Sequence, residues 1–335
     1  MIHRTADTWQ GPRWQNELTD LIRSPAELIE LLELDPALLP SALAAAGDFA
    51  LRVPRPYAMR IRKGDAHDPL LRQVLPLGDE LLAAPGYSAD PLQEKSTNPV
   101  PGLIHKYPGR VLLIVSGSCA INCRYCFRRH FPYQDNNPGR AAWQRALDYI
   151  AADSSITEVI YSGGDPLSAP DRHLTWLTQA VEAIAHVRRL RIHSRLPVVI
   201  PSRIDDECLS WMTNHRLDTS LVIHSNHANE IDAHLAEALG RVRAAGITLL
   251  NQTVLLKGVN DSLAALHELS ERLFACGVLP YYLHLLDKVT GAQHFDLPVS
   301  RALELHQGLR DTLPGYLVPK LVREVPGAHS KTPVV

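Results

Sequence analysis

Three of the five cysteines lie within eight residues, at Cys119, Cys123 and Cys126, shortly after the apolar run Val111–Val115. A structural zinc site commonly takes four protein ligands in two pairs, and this loop has no second pair. A cubane iron–sulfur cluster fits better, because three thiolates bind three irons and the fourth iron stays open to a small molecule. We therefore predict a cluster at this loop, with zinc or unrelated cysteines as the alternatives.

Two further stretches carry groups suited to chemistry. Ser162-Gly-Gly-Asp-Pro166 follows another apolar run, and its glycines would let backbone come close to a ligand. Toward the other end of the chain, the acidic Asp287 and Glu324 precede Lys331, which follows a glycine-containing loop. A lysine can form a Schiff base, but one so close to a terminus is by itself more often a solvated tail.

The chain around these residues alternates between short apolar runs and helical patterns. The predicted strands are Val111–Val115, Glu158–Tyr161, Leu190–His193, Thr219–Ile223, Thr248–Leu256 and Pro280–Leu285. The predicted helices include Ala141–Ala152, His173–His186, Glu230–Ala245 and Leu263–Cys276. Such alternation is typical of βαβ units with a parallel sheet. Because a polar cluster follows each strand, we predict an α/β barrel, partial or full, with the site at its mouth. A doubly wound open sheet is the competing fold.

The rest of the chain is predicted to wrap this barrel. Residues 1 to about 50 are predicted to be helical, with Ser24 as a candidate N-cap. The proline-rich residues 53–105 are predicted to form short helices and loops. The segment Tyr316–Glu324 reads as one more extended stretch. We divide the chain into an N-terminal helical and irregular region (1–105), a barrel core (106–300) and a C-terminal segment with the lysine loop (301–335).

Composition limits the class of protein. The 335 residues are 45% hydrophobic and 21% charged, which is ordinary for a globular protein, and the net charge of −2 argues against broad nucleic-acid binding. The N-terminus lacks the apolar segment of a signal peptide, and no apolar run reaches the roughly 18 residues of a membrane span. Clustered cysteines in odd number fit a reducing cytoplasm. The lone Cys208 and Cys276 are predicted to be buried hydrophobic residues.

The cysteine loop, with Tyr125 before its last cysteine, resembles the radical S-adenosylmethionine superfamily, and the Gly163-Gly164-Asp165 turn is similar to that superfamily's Gly-Gly-Glu-type turn. From about residue 60 onward the chain resembles, more narrowly, the lysine 2,3-aminomutase family. That resemblance rests on motifs in order: Tyr107-Pro-Gly-Arg-Val-Leu112, Cys126-Phe-Arg-Arg129, Tyr161-Ser-Gly-Gly-Asp-Pro-Leu167, Ser194-Arg-Leu-Pro-Val-Val199, Asn251-Gln-Thr-Val-Leu-Leu-Lys-Gly-Val-Asn-Asp261, His294-Phe295 and Pro326-Gly-Ala-His-Ser-Lys331-Thr-Pro-Val334.

The resemblance implies a partial parallel (β/α)6 barrel with an N-terminal helical region and a C-terminal cofactor-binding tail. It implies three cofactors: a 4Fe–4S cluster on the three cysteines, S-adenosyl-L-methionine and pyridoxal 5′-phosphate. Lys331 would bind pyridoxal phosphate, and Arg128 would bind the substrate carboxylate. Asp287 and Glu324 would hold the distal ammonium of L-lysine, since two buried carboxylates favour a cation between them.

Further residues match cofactor positions of the family. Those matching the surroundings of pyridoxal phosphate are Lys106, Tyr107, Arg110, Gln252 and His284, and those matching the turn at adenosylmethionine are Gly163, Gly164 and Asp165. His224 and Asn226, at another strand end, are candidates to face either S-adenosylmethionine or pyridoxal phosphate, and the sequence does not decide between the two. The chain has Gly327-Ala-His-Ser330 where the family commonly has a run of glycines, and Glu324 where an aspartate is typical.

The implied activity is an isomerase that moves the α-amino group of L-lysine to the β-carbon. The chain ends four residues after Lys331, which resembles the short branch that supplies β-lysine for modification of elongation factor P by a separate ligase. An electron donor such as flavodoxin or ferredoxin and a homodimer are expected by the same resemblance, without membrane or nucleic acid. The alternatives are a 2,3-aminomutase for arginine or glutamate, with the acidic pair opposing glutamate, and a non-catalytic iron–sulfur protein that binds RNA or translation factors.

Overall fold

The computed structural model describes residues 13–134, 136 and 139–335, with the side chains of residues 95 and 96 excepted. Its N-terminal region holds four helices and a two-stranded antiparallel pair: α1 (Arg13–Thr19), β1 (Leu21–Ile22), α2 (Pro25–Leu31), α3 (Leu39–Asp48), β2 (Val53–Pro54) and α4 (Arg55–Ala58). The predicted helical start is confirmed over residues 13–48, and residues 1–12 lie outside the described part. Ser24 is the N-cap of α2, although its side chain makes no capping hydrogen bond.

A nine-stranded sheet forms the centre of the described chain. Its strands are β3 (Leu103–Tyr107), β4 (Arg110–Ser116), β5 (Glu158–Gly163), β6 (Arg189–Ser194), β7 (Asp218–His224), β8 (Thr248–Val254), β9 (Leu279–His284), β10 (Lys320–Arg323) and β11 (Thr332–Pro333). Neighbours in the sheet are neighbours in sequence, and β4 to β10 pair in parallel, with β3 and β11 added antiparallel at the two ends. A doubly wound sheet would reverse its strand order, so this is the predicted partial barrel.

The six predicted strands are confirmed as β4 to β9, and the differences lie at the two sheet ends. β3 occupies residues predicted as irregular. It pairs with β4 through a Pro108-Gly109 turn in which Gly109 has a φ of +76°, a conformation that glycine adopts without strain. The predicted extended stretch Tyr316–Glu324 is a strand only at β10, because residues 315–317 form a 3-10 turn.

Seven helices follow in the described chain: α5 (Arg140–Ala152), α6 (Asp171–Glu182), α7 (Leu196–Val199), α8 (Asp206–Thr213), α9 (Ala233–Ala244), α10 (Leu263–Ala275) and α11 (Val299–Thr312). Side-chain oxygens of Asp205, Asp232 and Ser262 accept hydrogen bonds from the third backbone N–H of α8, α9 and α10. These caps satisfy amides that the helices leave open, and they fix where each helix leaves its strand.

The N-terminal region shares its hydrophobic core with the barrel. Trp14 and Tyr57 belong to the same buried cluster as Tyr161 and Ile223 on the strands. The division into three regions at residues 105 and 300 stays a prediction. Cys208 is fully buried, as predicted, whereas the prediction for Cys276 is wrong, because this C-cap residue of α10 is partly exposed. In the described residues, no helix has the length and apolar character needed to cross a membrane.

Candidate active site

A cavity of about 390 Å3 opens inside the barrel and at its mouth. Its lining comes from the carboxyl ends and inner faces of β4 to β9, together with β3 and the C-terminal segment. All fifteen residues predicted to form the site line it: Lys106, Tyr107, Arg110, Cys119, Cys123, Cys126, Arg128, Gly163, Gly164, Asp165, Gln252, His284, Asp287, Glu324 and Lys331. Residues separated by more than 200 positions are therefore brought to one space.

The three cysteines of the loop after β4 all face this cavity as free thiols. Burial, and then the neighbouring Cys126 and Asp165, raise the pKa of Cys119 well above its usual range. Burial and Cys123 raise the pKa of Cys126 to about 11. The raised pKa values of Cys119 and Cys126 mean that a positive iron core would be needed to hold these two side chains as thiolates. In the part of the chain that the structure describes, no group of three or more His, Cys, Asp or Glu side chains converges on a position for a single metal ion.

The glycine turn after β5 packs against the cysteine loop. A Cβ on Gly163 or Gly164 would lie 2.5 Å from the carbonyl oxygen of Ser116 or Ser118, respectively. The N–H of Gly164 donates to Ser116 O at 2.7 Å, and Gly163 has a φ of +119°. The absence of side chains therefore serves the contact between two loops of the chain itself. The predicted contact with adenosylmethionine stays a prediction.

Asp165 lies at the cavity wall, but both its carboxylate oxygens are engaged within the chain. One accepts from Leu167 N and Ser194 Oγ, and the other accepts from Arg195 N and Leu196 N, all at 2.7–3.0 Å. Four donors satisfy a carboxylate, so we interpret Asp165 as the link between the ends of β5 and β6. The cofactor contact that the resemblance implies for this residue stays a prediction.

Arg128 carries a partner that sequence reasoning missed, Glu94. The carboxylate of Glu94 accepts from Arg128 Nε at 2.8 Å and Nη2 at 2.9 Å, and from Lys106 Nζ at 2.9 Å. Burial would raise the pKa of Glu94, yet Arg128 and then Lys106 lower it to about 2. Two cations and one anion leave a net charge of +1 here, which is the complement of one carboxylate. The sequence does not mark Glu94 as a site residue, because it lies in an irregular stretch without helical or strand periodicity.

The C-terminal residues place charges at the same cavity. Glu324 pairs with the Lys331 ammonium through one oxygen and accepts from the Tyr107 hydroxyl through the other. Burial would raise the pKa of Glu324, but Lys331 and the two hydrogen bonds hold it below its usual range. Lys331 Nζ also lies 5.4 Å from the centre of the Tyr282 ring. A primary ammonium, here the chain's own, is thus held by Glu324.

Asp287 follows β9 and faces the same charges. Burial, and then the nearby Glu324, raise its pKa from 3.8 to about 7. Lys331 and Lys106 lower it, but by less than burial raises it. Asp287 is therefore a carboxyl group that a further cation in the cavity would ionise.

The remaining predicted residues also line the cavity. The Arg110 guanidinium lies 4.8 Å from the centre of the Tyr107 ring, and Gln252 is a further lining residue. Burial lowers the pKa of His284 well below its usual range, with Lys331 adding to this, and burial also lowers the pKa of His224 to about 3. These imidazoles are neutral at pH 7, so they place no cation beside a bound substrate.

The chain is similar in sequence to bacterial proteins named L-lysine 2,3-aminomutase. No protein-family model matches the chain. The protein named L-lysine 2,3-aminomutase of Escherichia coli strain K12 is 50% identical over 98% of this chain and 96% of its own length. Its namesake in Haemophilus influenzae is 51% identical over 95% and 94%. That of Clostridium subterminale is 36% identical over 98% of this chain and 78% of its own length.

Among solved structures, Streptococcus suis SuiB bound to S-adenosylmethionine aligns with a TM-score of 0.49 at 14% identity, over 66% of this chain and 51% of that one. The sequence relatives decide the assignment, because identities of 36–51% extend over nearly the whole chain. The identity is greater for the E. coli and H. influenzae proteins than for the clostridial one, and this chain covers a larger share of their own length. The chain belongs to the L-lysine 2,3-aminomutase family.

Proposed function

We propose that the protein is a radical isomerase that moves the α-amino group of L-lysine to its β-carbon and releases β-lysine. The observation that carries this proposal is the pairing of Lys331 with Glu324 in the cavity that the three cysteines also line. This pairing supports the proposal that one end of the cavity is acidic and accepts a primary ammonium. Arg128 and Lys106 together with Glu94 carry a net charge of +1, which is the complement of one carboxylate. Lysine carries both groups.

The residues fit the cofactors that the family implies. Cys119, Cys123 and Cys126 would hold the 4Fe–4S cluster, Lys331 would bind pyridoxal phosphate, and the turn at Gly163 would face S-adenosylmethionine. When bound, these groups supply a one-electron cleavage that produces a carbon radical, and a conjugated ring that spreads the unpaired electron. Every remaining task falls to the side chains of the cavity.

Those side chains bind and orient the substrate. Arg128 would hold the carboxylate, and Glu324 would hold the distal ammonium after Lys331 has left it. Asp287 would lose its proton when that ammonium arrives, because a nearby cation stabilises the carboxylate. Fixing both ends of lysine aligns the carbon that must lose hydrogen, and orientation of this kind accounts for a large part of many rate enhancements.

Arginine is the alternative substrate within the family, because its guanidinium would also pair with the two carboxylates. Glutamate fits poorly, since its second carboxylate would meet Glu324 and Asp287. The non-catalytic alternative, an iron–sulfur protein that binds RNA, lacks support from the net charge of −2.

The biological setting is proposed on the resemblance to the short branch. β-Lysine would go to a ligase that attaches it to elongation factor P. The electron would come from a small donor such as flavodoxin or ferredoxin. A cytoplasmic homodimer is the expected form.

A substrate panel tests the proposal. Anaerobic protein, reconstituted with iron, sulfide and pyridoxal phosphate, is incubated with S-adenosylmethionine, dithionite and one amino acid: lysine, arginine or glutamate. We expect β-lysine from lysine and no β-amino acid from the others. Lys331→Ala should abolish the product and the pyridoxal that borohydride fixes to the protein, while the exposed Lys320→Ala should retain both. Product from arginine or glutamate without β-lysine would overturn the substrate assignment.

A further inference from the structure

Arg195 lies directly after β6 and contacts the cysteine loop. Its side chain is 6% exposed. Nη1 donates to Cys123 Sγ at 2.7 Å and to the hydroxyl of Tyr125. A buried guanidinium therefore makes a hydrogen bond to the sulfur of a proposed cluster ligand.

A buried polar network fixes this guanidinium. Nη2 of Arg195 donates to Gln73 Oε1 at 2.7 Å and to Glu230 Oε2 at 3.3 Å. Asn226 Nδ2 donates to Gln73 Oε1 at 3.0 Å and to Tyr125 OH at 2.7 Å. Glu230 is fully buried, and it also accepts from Gln73 Nε2 at 3.0 Å and from Asn226 N at 2.9 Å.

The network joins the cysteine loop to the N-terminal region and to the ends of β6 and β7. Both members of the Arg195–Glu230 ion pair are shielded from water, so their charges act at short range with little screening. Substitution of either one changes the electrostatic potential at Cys123 in a known direction.

We propose that Arg195 sets the reduction potential of the cluster through Cys123, with Glu230 as its counter-charge. Reduction takes one electron from an external low-potential donor, adds no proton, and increases the negative charge of the cluster and its thiolates by one. A guanidinium that donates to a ligand sulfur stabilises the reduced form, and an adjacent carboxylate opposes it. Arg195 thus acts through a cluster ligand and touches no substrate. This inference rests on the proposed function, since it requires the cluster.

Variants of opposite charge test the proposal. The midpoint potential is measured by redox titration of the anaerobic holoenzyme, followed by electron paramagnetic resonance of the reduced cluster. Arg195→Gln should shift the midpoint to more negative values, and Arg195→Lys should stay closer to the wild type. Glu230→Gln should shift it in the opposite direction. Mere loosening of the loop would not produce shifts of opposite sign.

The control is Arg203→Lys. Arg203 is also a buried arginine, paired with Asp171 at 2.6 Å, and it does not line the cavity; this variant should leave the midpoint unchanged. Midpoints of Arg195→Gln and Glu230→Gln that equal the wild type, or that move in the same direction, would overturn the inference. If Arg195→Gln fails to hold iron, the Glu230→Gln midpoint decides, and a value that is not more positive than the wild type would overturn the inference. A wild-type protein that binds no iron and gives no cluster signal would refute the proposed function instead.

Discussion

Replacement of Asp287 by asparagine should change how the stability of the protein depends on pH. In the protein without pyridoxal phosphate or substrate, burial and Glu324 raise the pKa of Asp287 from 3.8 to about 7. The folded state therefore holds a proton on this side chain in a pH range where the unfolded chain has released it. A raised pKa of a carboxyl group contributes stability at low pH, and that contribution is lost as pH rises through the folded-state value.

The size of the effect follows from the two pKa values. Between about pH 5.5 and about pH 8, the wild type should lose about 2 kcal/mol of unfolding free energy relative to Asp287→Asn. At pH well above 7 the total penalty for the ionised carboxylate reaches about 4 kcal/mol, because each pKa unit corresponds to about 1.4 kcal/mol. Titrating groups that do not interact with Asp287 act equally in both proteins and cancel in the difference.

Equilibrium urea unfolding, followed by circular dichroism at several pH values, measures this difference. The wild type should become less stable relative to Asp287→Asn as pH rises, with the steepest change at about pH 5.5, between the two pKa values, and little further change above about pH 8. A difference that stays constant from pH 5.5 to pH 8 would refute the raised pKa. A difference of opposite sign would mean that a cation already pairs with Asp287 in the free protein.

Three further predictions follow from the site. Glu94→Ala should lower the free energy of unfolding in urea by about 3–5 kcal/mol, because it leaves two buried cations without their partner. Glu304→Ala, in an exposed ion pair, should lower it by less than about 1 kcal/mol, and equal losses would contradict the buried pairing. Gly164→Ala should reduce the iron bound per chain, because the added Cβ would lie 2.5 Å from the backbone oxygen of Ser118. Gly139→Ala, whose Cβ would have open space around it, should bind as much iron as the wild type, and a normal iron content in both variants would refute the packing argument. Lysine binding should release about half a proton from Asp287 at pH 7, which calorimetry in two buffers of different ionisation enthalpy measures. Asp287→Asn should abolish this release, and equal release from the wild type and the variant would show that the proton comes from another group.

The barrel could be predicted from sequence because its strands are short apolar runs separated by helical periodicity. Polar residues that follow such strands must meet at one edge of a parallel sheet, and this brought Cys119 and Asp287 to one cavity. The turn at Gly109, which joins β3 to β4, carries a Pro-Gly turn signal between Leu103–Tyr107 and the apolar run Val111–Val115.

The pairings within the site could not be predicted in the same way. Glu94 and Arg195 are held by ion pairs with residues 34 and 35 positions away, and such contacts leave no local pattern. The hydrogen bonds of the Asp165 carboxylate could not be predicted either, because a carboxylate in a turn has the same sequence pattern whether it contacts a ligand or accepts hydrogen bonds from neighbouring backbone. The partial exposure of Cys276 depends on where α10 ends, a boundary that periodicity places only within a few residues.

The most direct test of the account uses L-lysine labelled with 15N on the α-amino group. The protein with its three cofactors is reduced anaerobically, and the product is examined by nuclear magnetic resonance. The account predicts β-lysine with 15N on carbon 3 and no label released as ammonium, because the nitrogen moves within one molecule held by Arg128 and Glu324. Unchanged lysine from a protein with intact cluster and pyridoxal, or label lost to ammonium, would contradict it.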